Sequence, residues 1–362
     1  MINQNRNFKI ALIGDCLANG GAEKVHALLS IYFEKQGLEV HNCIFMDWIS
    51  YEYSGSLLNL GKTNADANSI KRKIARFRML RKFFKTTDFD AVIDFRIRNN
   101  FWQEIVLSNY CYPKSTYYTV HSAILSYYFP KLSTFIYKNK STVAVSKAIQ
   151  LAIISKDLSK KVFQIYNPID LKSITNLKDD FQVLNTNYIL AVGRMNNDIK
   201  QFDKLIIAYS KSVLPKNNIK LVLLGDGQKL SEYKTLSAQA GVENLVELKG
   251  FLDNPFPYYK NALFSVLCSK NEGFPNVILE SLAVGTPVIS FDCFSGPNEI
   301  IVHKHNGLLV ANQQFDQLTA AMNLLASDTE LRDYCKQNAK SSSKPFDIET
   351  IGKQWLELLK IK

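Results

Sequence analysis

Residues 269–300 read Ser-Lys-Asn-Glu-Gly-Phe-Pro-Asn-Val-Ile-Leu-Glu-Ser-Leu-Ala-Val-Gly-Thr-Pro-Val-Ile-Ser-Phe-Asp-Cys-Phe-Ser-Gly-Pro-Asn-Glu-Ile. Two carboxylates, Glu272 and Glu280, stand in this stretch. Glu272 follows the apolar run Leu263–Leu267, which reads as a strand. Pro275–Val284 is apolar with a helical period, so Glu280 falls about two turns inside a helix. Pro275 suits a first turn, where its missing N–H costs nothing. Asn276, Val277 and Ile278 then leave free N–H groups, an arrangement that favours an anion. The turn Gly285-Thr286-Pro287 leads into a further strand, Val288–Phe291. A strand–loop–helix–strand unit with acids before and beside an anion site can hold a sugar nucleotide.

The same alternation extends in both directions. In the first half, Phe8–Ile13, Val40–Phe45, Ala91–Phe95, Thr116–Val120 and Thr142–Ser146 read as strands, and Ala22–Gln36 as a helix. In the second, Tyr188–Val192, Leu221–Leu224 and Val246–Leu248 read as strands, with helices over Phe202–Ser210 and Leu230–Ala240. Short apolar runs separated by helical patterns predict parallel sheets with crossover helices. The expected fold class is α/β: two Rossmann-like domains facing a central cleft. The expected domains are residues 1–170, 171–345 and a closing helix within 346–362 that packs back on the first. Ile165–Asp179 reads as a linker.

The chain of 362 residues is long enough for two ordinary cores. No apolar run reaches the ~20 residues a bilayer span requires. The polar start Met1–Phe8 predicts no signal peptide. Six scattered cysteines without metal-ligand spacing predict reduced thiols and a cytoplasmic location. The net charge is +11 and is unevenly placed: residues 1–180 hold 25 Lys and Arg against 15 Asp and Glu, and the remainder 19 against 18. The first half is therefore expected to face something anionic.

Several residues fall at or just after strand ends, where ligands bind in such sheets. Gly20-Gly21-Ala22-Glu23 lies between a first strand and a first helix. It suits close approach of a phosphate but also reads as an ordinary turn. It is not a dinucleotide fingerprint, because Gly14 is too far from Gly20. Arg194 and Lys200 follow one strand and could grip one diphosphate, or stand as two solvated cations. His121 ends another strand, either to donate to a sugar hydroxyl or as a structural histidine. Asp88-Phe89-Asp90 precedes a strand and reads as a turn, so no metal site is expected. Ile70–Lys85 is a basic amphipathic helix. Ile70, Ile74, Phe77, Leu80 and Phe84 share its apolar face. Lys71, Arg72, Arg76, Arg78, Lys82 and Lys85 cover most of the rest. Such a helix suits an anionic membrane surface or an anionic acceptor, and equally a helix docked on its own domain.

Across nearly its whole length the chain resembles the family-4 retaining glycosyltransferases of GT-B fold. The resemblance rests on Gly20-Gly21-Ala22-Glu23, His121, Asn167-Pro168 with Asp170, Gly193-Arg194 with Lys200, Gly225-Asp226-Gly227, and above all the run Glu272 to Glu280. It implies transfer of a hexose or N-acetylhexosamine from a nucleotide sugar, UDP-linked, to a glycan or a lipid-diphosphate-linked glycan. Arg194 and Lys200 would neutralise the leaving diphosphate. Glu272 would bind the transferred sugar and Glu280 the ribose. Gly20, Gly21, Gly193, Gly225, Gly273, Phe274, Pro275, Asn276 and Val277 would line the donor, and His121 would lie near the sugar and acceptor. Retention by front-side attack, without metal or cofactor, is the expected chemistry. The location implied is the inner face of the membrane. Residues 291–299 resemble bacterial members that build surface polysaccharides and lipid-linked glycans. One departure is local: Gln201 stands where the family usually has Gly. A sugar-nucleotide epimerase is the alternative enzyme reading. A basic nucleic-acid-binding protein is disfavoured, since no helix-turn-helix, RNA-binding or zinc signature is present.

Overall fold

A computed structural model describes residues 7–63, 69–183 and 186–361. The expected leaderless start therefore lies outside the described residues as far as residue 6. In chain order the elements are β1 (Lys9–Gly14), α1 (Gly21–Lys35), β2 (Glu39–Ile44), β3 (Ser56–Asn59), α2 (Ser69–Thr86), β4 (Ala91–Asp94), α3 (Phe101–Tyr110), β5 (Thr116–Val120), α4 (Thr134–Tyr137), β6 (Ser141–Ala144), α5 (Lys147–Ser155) and β7 (Lys161–Gln164). There follow α6 (Leu171–Leu177), β8 (Tyr188–Val192), α7 (Phe202–Ser210), β9 (Lys220–Leu224), α8 (Leu230–Gln239), β10 (Val246–Gly250), α9 (Phe256–Asn261), β11 (Ser265–Leu267) and α10 (Asn276–Val284). The chain closes with β12 (Val288–Asp292), α11 (Pro297–Ile300), β13 (Gly307–Ala311), α12 (Phe315–Ser327), α13 (Thr329–Ser343) and α14 (Ile348–Leu358). Two compact units result: Met1–Pro168 with Ile348–Lys362, and Ile169–Asp347.

The first unit is a parallel sheet of order β3-β2-β1-β4-β5-β6-β7. Its central strands β1 and β4 are short runs buried on both faces, which is why they read as continuous rather than alternating. Ile10 and Leu12 of β1 pack with Val25, Leu29 and Phe33 of α1. The last helix joins that core: α14 places Ile351 and Trp355 on the face that meets α1. The Tyr117 hydroxyl donates to the Leu358 carbonyl at 3.3 Å. Strands β3 and β7 extend the sheet beyond what the sequence pattern predicted.

The second unit repeats the plan with order β10-β9-β8-β11-β12-β13. Ile189, Leu221, Val266 and Ile289 of four neighbouring strands share a core with Leu205 and Ile206 of α7 and with Leu318 and Met322 of α12. The expected linker is partly helical. Asp170 accepts a hydrogen bond from the Ser173 N–H at 2.8 Å and so caps α6. A side-chain cap turned a polar stretch into a helix start.

Each unit has a topological switch point, where consecutive connections run to opposite sides of one strand. In the first it lies between β1 and β4, in the second between β8 and β11. Loops leaving the carboxyl ends of those strand pairs diverge and leave room for a ligand.

Candidate functional site

In the second unit the switch point carries the expected donor residues. The loop after β8 brings Gly193, Arg194 and Lys200, and the loop after β11 brings Glu272. The Lys200 Nζ donates to Glu272 Oε1 at 2.7 Å, with both side chains mostly covered. The Lys270 N–H donates to the Ile199 carbonyl at 2.9 Å and holds the two loops together behind that pair. Gly225 fixes a third loop. Its φ is +133°, and a Cβ there would lie 2.0 Å from the Gly193 carbonyl oxygen. Only glycine lets the ends of β8 and β9 come this close.

Arg194 is exposed and makes no ion pair with a described residue. The cation tied into the site is therefore Lys200, and its partner is the acid expected to meet the sugar. Gln201, the departure from the family pattern, begins α7 at φ +52° in the left-handed region. Glycine is the default residue there. The glutamine is fully buried instead, its amide within 2.8 Å of that of Gln313. The Cys268 thiol donates to the Lys200 carbonyl at 3.2 Å. Burial thus holds a strained turn beside Lys200.

Helix α10 starts one residue later than expected, with Pro275 as its N-cap rather than in its first turn. The Ile278 N–H is also not free, since it donates to the Pro275 carbonyl at 3.1 Å. The positive end of the helix dipole still opens at Asn276 and Val277. The preceding loop is packed and tied: Gly273, Phe274 and Pro275 are buried, and the Ser295 hydroxyl donates to the Gly273 carbonyl at 2.5 Å. A Cβ on Gly296, at φ +97°, would lie 2.5 Å from Pro275 Cδ. Segment 291–299 therefore buttresses the loop between Glu272 and α10. As the fifth residue of α10, Glu280 is buried and accepts a hydrogen bond from the Tyr259 hydroxyl at 3.2 Å. Burial and the Glu280 charge push the Tyr259 phenol well up, so it remains a donor.

In the first unit the expected residues lie at the same edge of the other sheet. Gly20 is the N-cap of α1 and Gly21 its first residue, and the Glu23 carboxylate folds back over Gly20. His121 follows β5. Some of its surface is exposed, but both ring nitrogens are covered. Burial lowers its pKa to about 3, with the Arg98 charge adding to the effect and Asn167 opposing it. The ring is neutral at pH 7 and lies 5.8 Å from that of Phe95. Asp90 accepts from the Lys9 N–H at 2.8 Å, the role of a turn carboxylate.

Residues 174–342 match the family model described as "Glycosyl transferases group 1". The chain is a glycosyltransferase. It is 28% identical, over 97% of its own length and 99% of the relative's, to an N-acetylgalactosamine-N,N'-diacetylbacillosaminyl-diphospho-undecaprenol 4-alpha-N-acetylgalactosaminyltransferase of Campylobacter jejuni. A second enzyme of that organism, a GalNAc-alpha-(1->4)-GalNAc-alpha-(1->3)-diNAcBac-PP-undecaprenol alpha-1,4-N-acetyl-D-galactosaminyltransferase, is 30% identical over 55% of each chain. Among solved structures, Anabaena HepE in complex with UDP and glucose superposes with a TM-score of 0.77 at 20% identity, over 98% of this chain and all of that one. The fold of this glycosyltransferase is GT-B.

The arginine cluster beneath the first unit's switch point is not among the expected site residues. Arg96 and Arg98 follow β4 and are wholly buried. Arg96 forks onto Asp94 at 2.8 and 3.0 Å and reaches Glu104 at 3.3 Å. The Tyr137 hydroxyl donates to Glu104 at 2.8 Å. Arg98 donates to the Thr119 carbonyl at 2.8 Å and lies over the rings of Tyr118, Tyr128 and Tyr137. Between them, the Ile97 N–H donates to Asp15 at 2.9 Å and so joins the loops after β1 and β4. Burial raises the Asp15 pKa against the pull of that bond and of Arg96.

The basic helix forms as α2, but its apolar stripe is only half docked. Leu80 is 1% exposed, and Phe83 and Phe84 pack among Phe89, His41 and Tyr112. Ile70 and Ile74 are 68% and 46% exposed. Lys71, Arg78, Lys82 and Lys85 are exposed, whereas Arg72 and Arg76 are half-buried. No helix among the described residues is long and apolar enough to cross a membrane.

Proposed function

We propose that the enzyme transfers a hexose or N-acetylhexosamine, with retention, from a UDP-sugar to a lipid-diphosphate-linked glycan during cell-surface polysaccharide biosynthesis. The observation that carries this reading is the Lys200–Glu272 pair at the β8–β11 switch point, beside the positive end of α10. A diphosphate laid on that helix end would draw Lys200 toward its oxygens and release Glu272 to accept from hydroxyls of the transferred sugar. Glu280, held by Tyr259, takes the ribose hydroxyls. Arg194, exposed and without an ion pair among the described residues, closes on the diphosphate from the other side as a fork.

The acceptor hydroxyl oxygen attacks the anomeric carbon on the face the diphosphate leaves. The bond from that carbon to the phosphate oxygen breaks, and the hydroxyl proton passes to the departing phosphate. Lys200 and Arg194 supply the positive charge this departure needs, so the reaction proceeds without a metal ion. With both ring nitrogens covered, neutral His121 meets the sugar or acceptor only through the exposed part of its ring.

The relatives' lipid-linked acceptors and the shape of α2 support a membrane-peripheral location at the inner face. Ile70 and Ile74 would enter the headgroup region while Lys71, Arg78, Lys82 and Lys85 meet lipid or acceptor phosphate. Isothermal titration with UDP and with other nucleoside diphosphates tests the donor assignment. Saturable UDP binding that weakens in Glu280→Ala supports it, and absence of UDP binding refutes it.

A further inference from the structure

Beyond β1 and β2, at the ligand-binding edge of the first sheet, lies an open groove of about 420 Å³. Trp48 lines it together with Asp47, Asn19 and Ser50. The indole is 58% exposed. Its backbone is nevertheless fixed: the Leu17 N–H donates to the Trp48 carbonyl at 2.9 Å, and the Ser50 N–H to the Leu17 carbonyl at 2.9 Å. Asp47 is held in turn, one carboxylate oxygen accepting from Asn59 at 2.6 Å. A large aromatic ring kept in water on a tied loop, next to an acid and an amide, has no part in the core.

We propose that Trp48, Asp47 and Asn19 form a subsite for a pyranose ring of the acceptor glycan. The proposal rests on the glycosyltransferase reading above and adds a contact beyond the reacting sugar. The apolar C–H face of a pyranose fits the flat indole, and the carboxylate and amide accept from hydroxyls at the ring edge. Charge favours a glycan over a membrane. The segment from Met46 to Gly55 carries Asp47 and Glu52 and no Lys or Arg, so an anionic lipid surface is repelled there. The exposed apolar residues of α2, by contrast, stand among cations.

The test uses the full chain and its Trp48→Ala, Trp48→Phe and Asp47→Asn variants. Saturation-transfer NMR would titrate methyl glycosides of glucose, galactose and their N-acetyl forms, and the α-linked disaccharides of each. UDP affinity and vesicle co-sedimentation would be measured alongside. At least one disaccharide should bind the wild type. Trp48→Ala should weaken it about tenfold or more, while Trp48→Phe, which keeps a flat ring, should stay within about threefold. Asp47→Asn should fall between them, and UDP affinity should hold throughout. Equal glycoside binding by Trp48→Ala and wild type overturns the subsite. So does a wild type that binds UDP but no glycoside of the panel. Loss of sedimentation with phosphatidylglycerol vesicles in Trp48→Ala, at unchanged glycoside affinity, would assign the residue to lipid instead. Trp48-dependent glycoside binding without UDP binding would keep the subsite and refute the donor reading.

Discussion

Lys200 and Glu272 stand 72 residues apart in the chain and 2.7 Å apart in space. Topology brings them together, since β8 and β11 are neighbours in the sheet and their following loops diverge from one point. In the proposed mechanism the pair is the resting state of a site that exchanges its internal partner for diphosphate and sugar. Lys200→Ala should slow transfer by about 100-fold or more, the usual cost of losing one preorganised charge at a leaving group. Glu272→Ala should lower turnover more than it lowers UDP affinity. Steady-state kinetics with parallel UDP titrations would check both. Unchanged turnover in either variant would remove that residue from the reaction.

Glu280 and Tyr259 give a separate expectation, because they address the nucleotide rather than the bond that breaks. Glu280→Ala should weaken UDP binding by about 1–3 kcal/mol, the range for hydrogen bonds to an ionised group. Tyr259→Phe removes only the hydroxyl that orients the carboxylate and should cost about 1 kcal/mol or less. Calorimetry on both variants would show the ordering. A Tyr259→Phe loss larger than that of Glu280→Ala would contradict the assigned roles.

The buried arginine of the first unit should matter to folding before it matters to catalysis. Arg96→Met leaves Asp94 and Glu104 buried without their cation, a change that typically costs about 3–5 kcal/mol. Urea denaturation should therefore show a large fall in midpoint. Wild-type stability in Arg96→Met would mean that the acids find other compensation.

Helix α2 offers a test of membrane association. Each exposed cation near an anionic surface contributes about 1 kcal/mol. Changing Lys71, Arg78, Lys82 and Lys85 to Gln should therefore abolish most sedimentation with phosphatidylglycerol vesicles. Ile70→Ser with Ile74→Ser should weaken it further, and rising salt should mimic the charge loss. UDP affinity should not change. Sedimentation equal to wild type would leave α2 a solvated face.

Much of this architecture was legible in the sequence because parallel strands buried on both faces read as plain apolar runs. Thr116–Val120 and Phe202–Ser210 have the bounds that their patterns predict. Strands β3 and β7 escape that pattern because their residues are only partly covered and their composition is mixed. Helix α6 reads as linker because its start depends on the Asp170 cap rather than on apolar spacing. Glu272, Glu280 and Lys200 were each visible from their place after a strand or within a helix. That Lys200 pairs with Glu272, while Arg194 stays in solvent, depends on sheet order and could not be read locally. Arg96 and Arg98 carry no local mark of burial, because arginines usually lie at the surface. Asp94 in a strand, two residues before Arg96, was the available signal.

The most direct test of the central claim is donor hydrolysis over a panel of UDP-, GDP- and ADP-sugars in the presence of EDTA, followed by NMR of the released sugar. The account predicts that the wild type releases UDP from at least one UDP-sugar, that the sugar first appears with its anomeric configuration retained, that Lys200→Ala slows the release about 100-fold or more, and that Glu272→Ala lowers it. Release that needs a divalent metal, inverts the anomeric centre or persists unchanged in both variants would contradict it.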